Sequence, residues 1–223
     1  MNFGELIAAV IHVGFEPITS AGFSDAIKEF INEGYMDIAS RDLSCFEDTE
    51  PLAITTGKTV YDTPVYCRKI YNVFTIENGP LDFQDKKHFD YVKYANTYYK
   101  RSHTTSGPPK VAYQWAKKLI IEPPPDKNYT GYFSFYQIPE RLVDDDDEHI
   151  LTLAPGENLL ILFAQSRIKS KERDYNGARE LKAEYEAKLN NWVIDDFNEK
   201  VKDKLNMAQL EREYYSRMGR RVR

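Results

Sequence analysis

The most restrictive feature of this sequence is a long segment near the C-terminus without helix-breaking residues. Residues 178–218 contain neither glycine nor proline, and such a run is typical of a long helix that packs against partners. Its first part has an apolar stripe at helical spacing, formed by Tyr175, Ala178, Leu181, Tyr185, Leu189 and Trp192. Asn190–Asn191 and Asp195–Asp196 are weak helix formers, so a break there is the alternative.

Beyond that point the stripe becomes sparse. Phe197, Val201, Leu205 and Ala208 continue it, but they are too few for this part of the helix to be stable alone. Elsewhere, apolar periodicity and capping signals predict three further helices, over residues 2–13, from Ser24 as the N-cap to about Asp42, and over residues 155–168. The first part of the long helix is expected over residues 174–193.

The middle of the chain changes from helical periodicity to alternation near Leu43 and back near Pro155. We expect strands within residues 52–57, 60–65 and 68–76, a short helix or irregular segment over 81–91, and a long loop or exposed hairpin over 93–105. A hairpin is then predicted, with residues 110–122 and 129–138 as its two strands and a proline-rich corner between them. Aromatic residues occupy both faces of the second strand, so this strand should be central or lie at a subunit contact.

These patterns predict an α+β fold. The N- and C-terminal helices, residues 1–42 and 150–194, form a helical bundle. An antiparallel β module with loops occupies residues 43–149, and residues 195–223 form a long C-terminal helical arm.

Charge is distributed unevenly along the chain. The net charge is −5, but five arginines and one glutamate give residues 212–223 a charge of +4, which leaves −9 for the rest. The acidic residues 1–211 make this part of the chain a poor general binder of nucleic acid. The basic residues 212–223 are typical of a docking tail. The chain contains 16 tyrosines, and either protein–protein interfaces or antiparallel sheets could explain this number. The interface explanation is slightly favoured.

Three motifs could carry chemistry, and each has a simpler interpretation. Gly57-Lys58-Thr59 resembles the end of a phosphate-binding loop, but Leu52 stands where the motif needs glycine, so a hairpin turn is favoured. Residues 144–148 are all acidic and could bind Ca²⁺ or Mg²⁺, but a solvated turn that caps the helix after Pro155 is favoured. Glu180 and Glu184 could act on a glycan, but basic neighbours indicate a salt-bridged helix face.

Other residue types indicate neither a cofactor nor a membrane span. The four histidines lack ligand spacing, and Cys45 and Cys67 could form a disulfide only if the fold brings them together, so thiols are favoured. The apolar run from Leu6 to Val13 is short and follows an acidic residue, unlike a signal peptide. We therefore expect a soluble protein made in a cytoplasm, with no metal and no cofactor.

The order of the central elements resembles that of the head-to-tail adaptor proteins of tailed bacteriophages. The resemblance covers about residues 2–194 and rests on Gly107-Pro108-Pro109, Leu119-Ile120-Ile121, Pro123-Pro124-Pro125-Asp126, the aromatic strand from Tyr129 to Tyr136, Pro139, the acidic run and the helices that follow. It implies a non-enzymatic virion protein at the head-tail connector, synthesised in the host cytoplasm. It further implies a ring of twelve copies that binds the portal protein, extends the DNA channel and presents a platform for a tail or neck protein. Genomic double-stranded DNA would pass through without sequence-specific contact.

Within this framework the C-terminal arm is the predicted portal-docking site. Its apolar contacts would come from Val201, Leu205, Leu210, Tyr214 and Tyr215. Its arginines would pair with portal carboxylates or, alternatively, contact DNA in the channel; they are Arg212, Arg217, Arg220, Arg221 and Arg223. Three other functions remain open: a tail-tube or terminator component, a peptidoglycan hydrolase, and a DNA-binding module that uses the arginine-rich end.

Overall fold

The structure, a computed structural model, describes residues 1–12, 21–84, 106–151 and 155–219, and it describes the side chains of these residues except at 21–23 and 204–219. Within these ranges the helices are α1 (Phe3–His12), α2 (Ala21–Ala39), α3 (Gly156–Lys171) and α4 (Tyr175–Gly219), with a short 3₁₀ turn at Ser44–Phe46. The strands are β1 (Glu47–Ile54), β2 (Val60–Asp62), β3 (Cys67–Thr75), β4 (Gly79–Pro80), β5 (Asp82–Phe83), β6 (Val111–Trp115), β7 (Lys118–Glu122) and β8 (Tyr129–Gln137). The chain is thus a mixed α+β protein, as the sequence predicts.

The chain divides into two compact units. Met1–Ser44 and Arg141–Arg223 form one, called here the helical unit, and Cys45–Glu140 form the other, called the β unit.

Helix α3 is the hub of the helical unit, because α1, α2 and α4 all pack against it. The helices bury one another's apolar stripes, including Phe3, Leu6 and Val10 from α1, Ile27, Ile31 and Ile38 from α2, and Leu159, Leu160, Ala164 and Ile168 from α3. Gly34 allows the closest approach: a Cβ atom there would lie 2.9 Å from the Phe163 ring. Since such a distance is well inside van der Waals contact, only glycine lets α2 and α3 pack this tightly.

The β unit contains two four-stranded sheets, with strand orders β1-β8-β3-β4 and β2-β7-β6-β5. Their facing side chains share one apolar core, to which the first sheet contributes Ile54, Ile70, Val73, Phe133 and Phe135, and the second contributes Tyr61, Ala112, Leu119 and Ile121. Strand β8 lies between β1 and β3, so the prediction that it is central is confirmed. Its outer face also carries paired rings, with Tyr132 stacked on Phe74 at 5.2 Å between ring centroids.

The predicted hairpin is wrong. Residues 110–122 form two strands, β6 and β7, which pair with each other, whereas β8 belongs to the other sheet. Ala116 has φ +52° in the turn between β6 and β7, a left-handed conformation that two-residue hairpin turns require. Prolines 123–125 lack the backbone N–H that a continuing ladder needs, so β7 ends at the corner. The corner instead accepts backbone hydrogen bonds, from Gly57 to the Pro125 carbonyl at 2.8 Å and from Gly107 to the Pro124 carbonyl at 2.9 Å.

Two other details differ from the sequence-based expectations, and the structure excludes the alternative of a break in the long helix. The β unit is not wholly antiparallel, because β5 pairs with β6 in parallel; the chain between them exceeds the dozen or so residues that a parallel connection needs. Helix α2 begins at Ala21, so Ser24 is not its N-cap. Helix α4 is continuous through Asn190 and Asp196, since local propensity is weak beside the contacts that hold this segment. Residues 93–105 and most of the 81–91 segment lie outside the described residues.

Candidate docking helix and groove

Helix α4 begins with a well-formed N-cap. Asp174 accepts a hydrogen bond on Oδ1 from the Gly177 N–H at 3.0 Å, and its carbonyl accepts from the Ala178 N–H at 3.0 Å. A carboxylate here satisfies donors that would otherwise lack partners and complements the helix dipole. The direction of α4 as it leaves α3 is therefore fixed locally.

The first half of α4 is held against α2 and α3. Tyr185 and Leu189 are only 2% and 1% exposed, and the Tyr185 ring meets Phe163 edge-on at 5.2 Å. The Tyr185 hydroxyl donates a 2.6 Å hydrogen bond to Asp37 Oδ2. Burial and then this bond raise the pKa of Tyr185 above its ordinary value, so the phenol keeps the proton that it donates.

A second anchor lies three turns further along. The Asp196 carboxylate accepts from the Ser44 N–H at 3.1 Å, and Lys200 Nζ donates to the Asp42 carbonyl at 2.9 Å while pairing with Asp196 at 3.0 Å. Burial raises the pKa of Asp196, but the Ser44 and Lys200 contacts outweigh it, so its pKa is lowered. These contacts hold α4 in place as far as Lys200.

Past Lys200 the helix runs on to Gly219, which adds roughly 28 Å at 1.5 Å per residue. Of the predicted docking residues, Val201 lies at the start of this segment with 38% of its surface exposed. The backbone is helical at Leu205, Leu210, Arg212, Tyr214, Tyr215 and Arg217, but their side chains are outside the described set. Arg220, Arg221 and Arg223 lie outside the described residues. The docking role of all ten residues stays a prediction.

An exposed apolar stripe was only partly predicted. Ile194, Phe197 and Val201 are 56%, 63% and 38% exposed. At about 100° per residue these three lie within about 60° of one another on the helix surface, and on a different side from Tyr185 and Asp196. The sequence analysis used Phe197 and Val201 but missed Ile194, although its i, i+3, i+7 spacing to the other two was a usable signal. We call these three residues the α4 stripe.

An open groove of about 700 Å³ lies in the same unit, along α2 and α3. Met36 and Phe163 are its apolar lining, and Asn32 and Ser40 also border it. Its rim carries two ion pairs, Arg141 with Glu29 and Arg167 with Glu33. We call this feature the α2–α3 groove.

The three chemical motifs have structural explanations. Gly57 has φ +72° in the turn after β1, so Gly57-Lys58-Thr59 is a turn as predicted. It is not a hairpin turn, because β1 and β2 belong to different sheets. Glu184 pairs with Lys188 at 2.7 Å on the α4 surface, as expected for a salt-bridged face.

The acidic run forms a turn, although it caps a different helix from the one expected. The N–H groups of Phe3 and Gly4 donate to the carbonyls of Asp147 and Asp145 at 3.0 and 2.9 Å, so the run caps α1. Asp147 Oδ2 accepts from two backbone N–H groups, at Val143 and Asp144, and these bonds lower its pKa. In the described part of the chain, no three His, Cys, Asp or Glu side chains are arranged to hold a metal ion.

Both cysteines are thiols. Burial raises the pKa of Cys67 to about 11, so this thiol stays protonated and unreactive near neutral pH. Among the described helices, none combines the length and apolar character that crossing a bilayer requires.

Comparison with known proteins gives the family. The family model described as SU10 adaptor protein matches residues 1–221. The chain belongs to the SU10 adaptor protein family. It is therefore a structural adaptor of a bacteriophage, and the match includes the part of α4 past Lys200 as well as the residues that carry the resemblance. A search of curated proteins finds no match.

Proposed function

We propose that this adaptor forms a ring, of twelve copies by resemblance, between the portal and the tail. The ring extends the DNA channel and gives the next tail or neck protein its platform. Portal and tail proteins are the partners that an adaptor family implies in general; the ring, its copy number and the contact residues are the proposal. The tail-tube and hydrolase alternatives have no supporting site among the described residues.

The observation that carries the proposal is the helical segment past Lys200. It continues a helix that is anchored by Tyr185 and by the Asp196–Lys200 pair, so its base is fixed before any partner binds. A segment that is already helical loses less conformational entropy on binding than a disordered tail. Residues 195–223, which include the second half of α4, are therefore suited to act as the docking arm.

The composition of the arm suits a surface that offers carboxylates and an apolar cleft. Val201, Leu205, Leu210, Tyr214 and Tyr215 would supply apolar contact, and arginine can pair with carboxylates in a bidentate manner. Residues 1–211 are acidic, with a net charge of −9. Such a body should repel phosphate, which suits a channel that DNA must pass without sticking.

Truncation tests the proposal. A chain that ends at Leu205 should keep its fold, because the anchors at Tyr185, Asp196 and Lys200 precede that residue. It should lose binding to isolated portal rings of the same phage. A matched control replaces Arg179, which is exposed in the first half of α4, by Glu and should bind normally. Normal portal binding by the truncated chain would assign docking to another surface, with residues 93–105 as the next candidate.

The same truncation distinguishes portal binding from the alternative that the C-terminal arginines contact DNA. If the arginines serve DNA, the full chain should bind duplex DNA in a strongly salt-dependent way, and the truncated chain should not. The portal proposal instead expects weak DNA binding by both chains.

A further inference from the structure

We infer that the α4 stripe of one copy of this protein binds in the α2–α3 groove of a neighbouring copy. Both surfaces are open in the single chain and both belong to the helical unit. This inference deepens the proposed function and rests on it in one respect, since a ring requires a contact between different patches of successive copies. It assigns Val201 to the contact between copies, and the portal contact of the arm then begins at Leu205.

The stripe cannot enter the groove of its own chain. Asp196 and Lys200 hold this part of α4 on the turn at residues 42–44, and Phe197 remains 63% exposed there. Moving the stripe would break the Tyr185–Asp37 bond and both contacts of the second anchor. An exposed aromatic side chain on a fixed helix is the type of residue that dominates protein interfaces once it is buried.

The groove matches the stripe in size and character. Its volume of about 700 Å³ exceeds that of three apolar side chains, and Met36 offers an adaptable thioether beside the Phe163 ring. Phe163 lies over Gly34 and edge-on to Tyr185, so the position of its ring in the groove is fixed by packing. A helix lying in a groove with anchors at i, i+3 and i+7 is a recurrent mode of recognition.

The charges around the two surfaces are compatible. Asp195 and Lys202 are exposed and follow Ile194 and Val201 directly, so they border the stripe on one side. The groove rim offers the acid–base pairs Glu29–Arg141 and Glu33–Arg167. Asp37 also lines the groove. An incoming carboxylate can therefore meet an arginine, and an incoming ammonium can meet an acidic side chain.

Three side chains form a small contact, so we expect weak association of the free protein. Small interfaces of this type are transient in solution, and a ring or a portal template would strengthen the contact through high local concentration.

The test uses the full chain in sedimentation velocity over a series of protein concentrations. Wild type should associate at high concentration, and Phe197→Asp should weaken association roughly tenfold or more. The matched control Tyr175→Asp changes an equally exposed aromatic residue, 67% exposed at the start of α4, and should associate as wild type does. Ser40→Trp, which fills the groove from an exposed position, should weaken association as Phe197→Asp does.

A mixing experiment identifies the two patches as partners. Phe197→Asp keeps an intact groove and Ser40→Trp keeps an intact stripe, so an equimolar mixture should recover a heterodimer that neither variant forms alone. Association of either variant at the wild-type level, failure of the mixture to recover contact, or a monomeric wild type at all concentrations would overturn the inference. Circular dichroism melts confirm that each variant is folded.

Portal binding is measured in parallel, so that failure of the portal-docking proposal can be distinguished from failure of the stripe–groove inference. If the mixture recovers contact but wild type does not bind portal rings, the stripe–groove contact stands and the portal proposal fails. If wild type binds portal rings and neither variant alters self-association, the portal proposal stands and this inference fails.

Discussion

The hydroxyl of Tyr185 on α4 donates a 2.6 Å hydrogen bond to Asp37 Oδ2 on α2, joining residues 148 positions apart in the chain. Because the acceptor is charged and the donor is buried, this bond is stronger than an exposed one. It holds the first half of α4 against α2 within the helical unit.

Removing that bond should destabilise the helical unit. Tyr185→Phe keeps the ring contact with Phe163 and removes the hydrogen bond to the Asp37 carboxylate, which retains its ion pair with Arg41 at 3.7 Å. We expect a loss of about 1.5–3 kcal/mol in the free energy of unfolding, measured by urea titration. Tyr175→Phe, at an exposed position, is the control and should change nothing. Equal stability of the two variants would show that the bond contributes no net free energy.

Asn32 should be a second stabilising residue, because it pairs both polar groups of one backbone position. Its amide donates to the Leu142 carbonyl and accepts from the Leu142 N–H, each at 2.9 Å, and Asn32 is 4% exposed. Asn32→Ala would leave two buried groups unpaired, at a cost of about 2–4 kcal/mol. Asn198→Ala on the exposed side of α4 is the matched control. A loss below about 0.5 kcal/mol would mean that water replaces the amide.

His149 should make stability depend on pH. Its side chain is buried, 3.6 Å from Glu157, and burial lowers its pKa below the ordinary 6.5 against the opposing effect of Glu157. The unfolded chain therefore takes up a proton before the folded chain does, so stability falls as the pH drops below 6.5. His149→Phe should remove this part of the slope in urea titrations at several pH values, whereas His12→Gln, at an exposed position, should retain it. An unchanged slope in His149→Phe would assign the acid sensitivity to other groups.

Two glycines in the β unit should differ in their tolerance of alanine. A Cβ atom at Gly131 would lie 2.7 Å from the Phe74 carbonyl oxygen, so β3 and β8 would have to separate locally. At Gly57 the space is open and only the left-handed backbone, φ +72°, opposes a side chain, at about 1 kcal/mol. We expect Gly131→Ala to cost about 2–3 kcal/mol and to speed amide exchange along β3 and β8. Greater destabilisation by Gly57→Ala than by Gly131→Ala would contradict this.

Local signals identified most of the helices and the chemically inert motifs. The predicted apolar stripe of α4 included Tyr185 and Leu189, which are buried in the structure. The turn at Gly57 could be predicted from the residues of the turn alone. The absence of glycine and proline over residues 178–218 correctly favoured a long helix. These features depend on residues within a few positions of one another, which is why sequence alone determined them.

Pairing and contact between distant segments were decided by the tertiary structure. The alternation of side chains predicted residues 129–138 as a strand. Its partners β1 and β3 lie far away in the sequence, and periodicity within a strand does not specify which strands it pairs with. The acidic run caps α1 across more than 140 residues. Likewise Asp196, a weak helix former, lies within α4 because Ser44 and Lys200 satisfy its carboxylate. The sequence by itself determined most of the helices and the strand at residues 129–138, and only tertiary packing decided the partners of these segments and left Ile194 and Phe197 exposed.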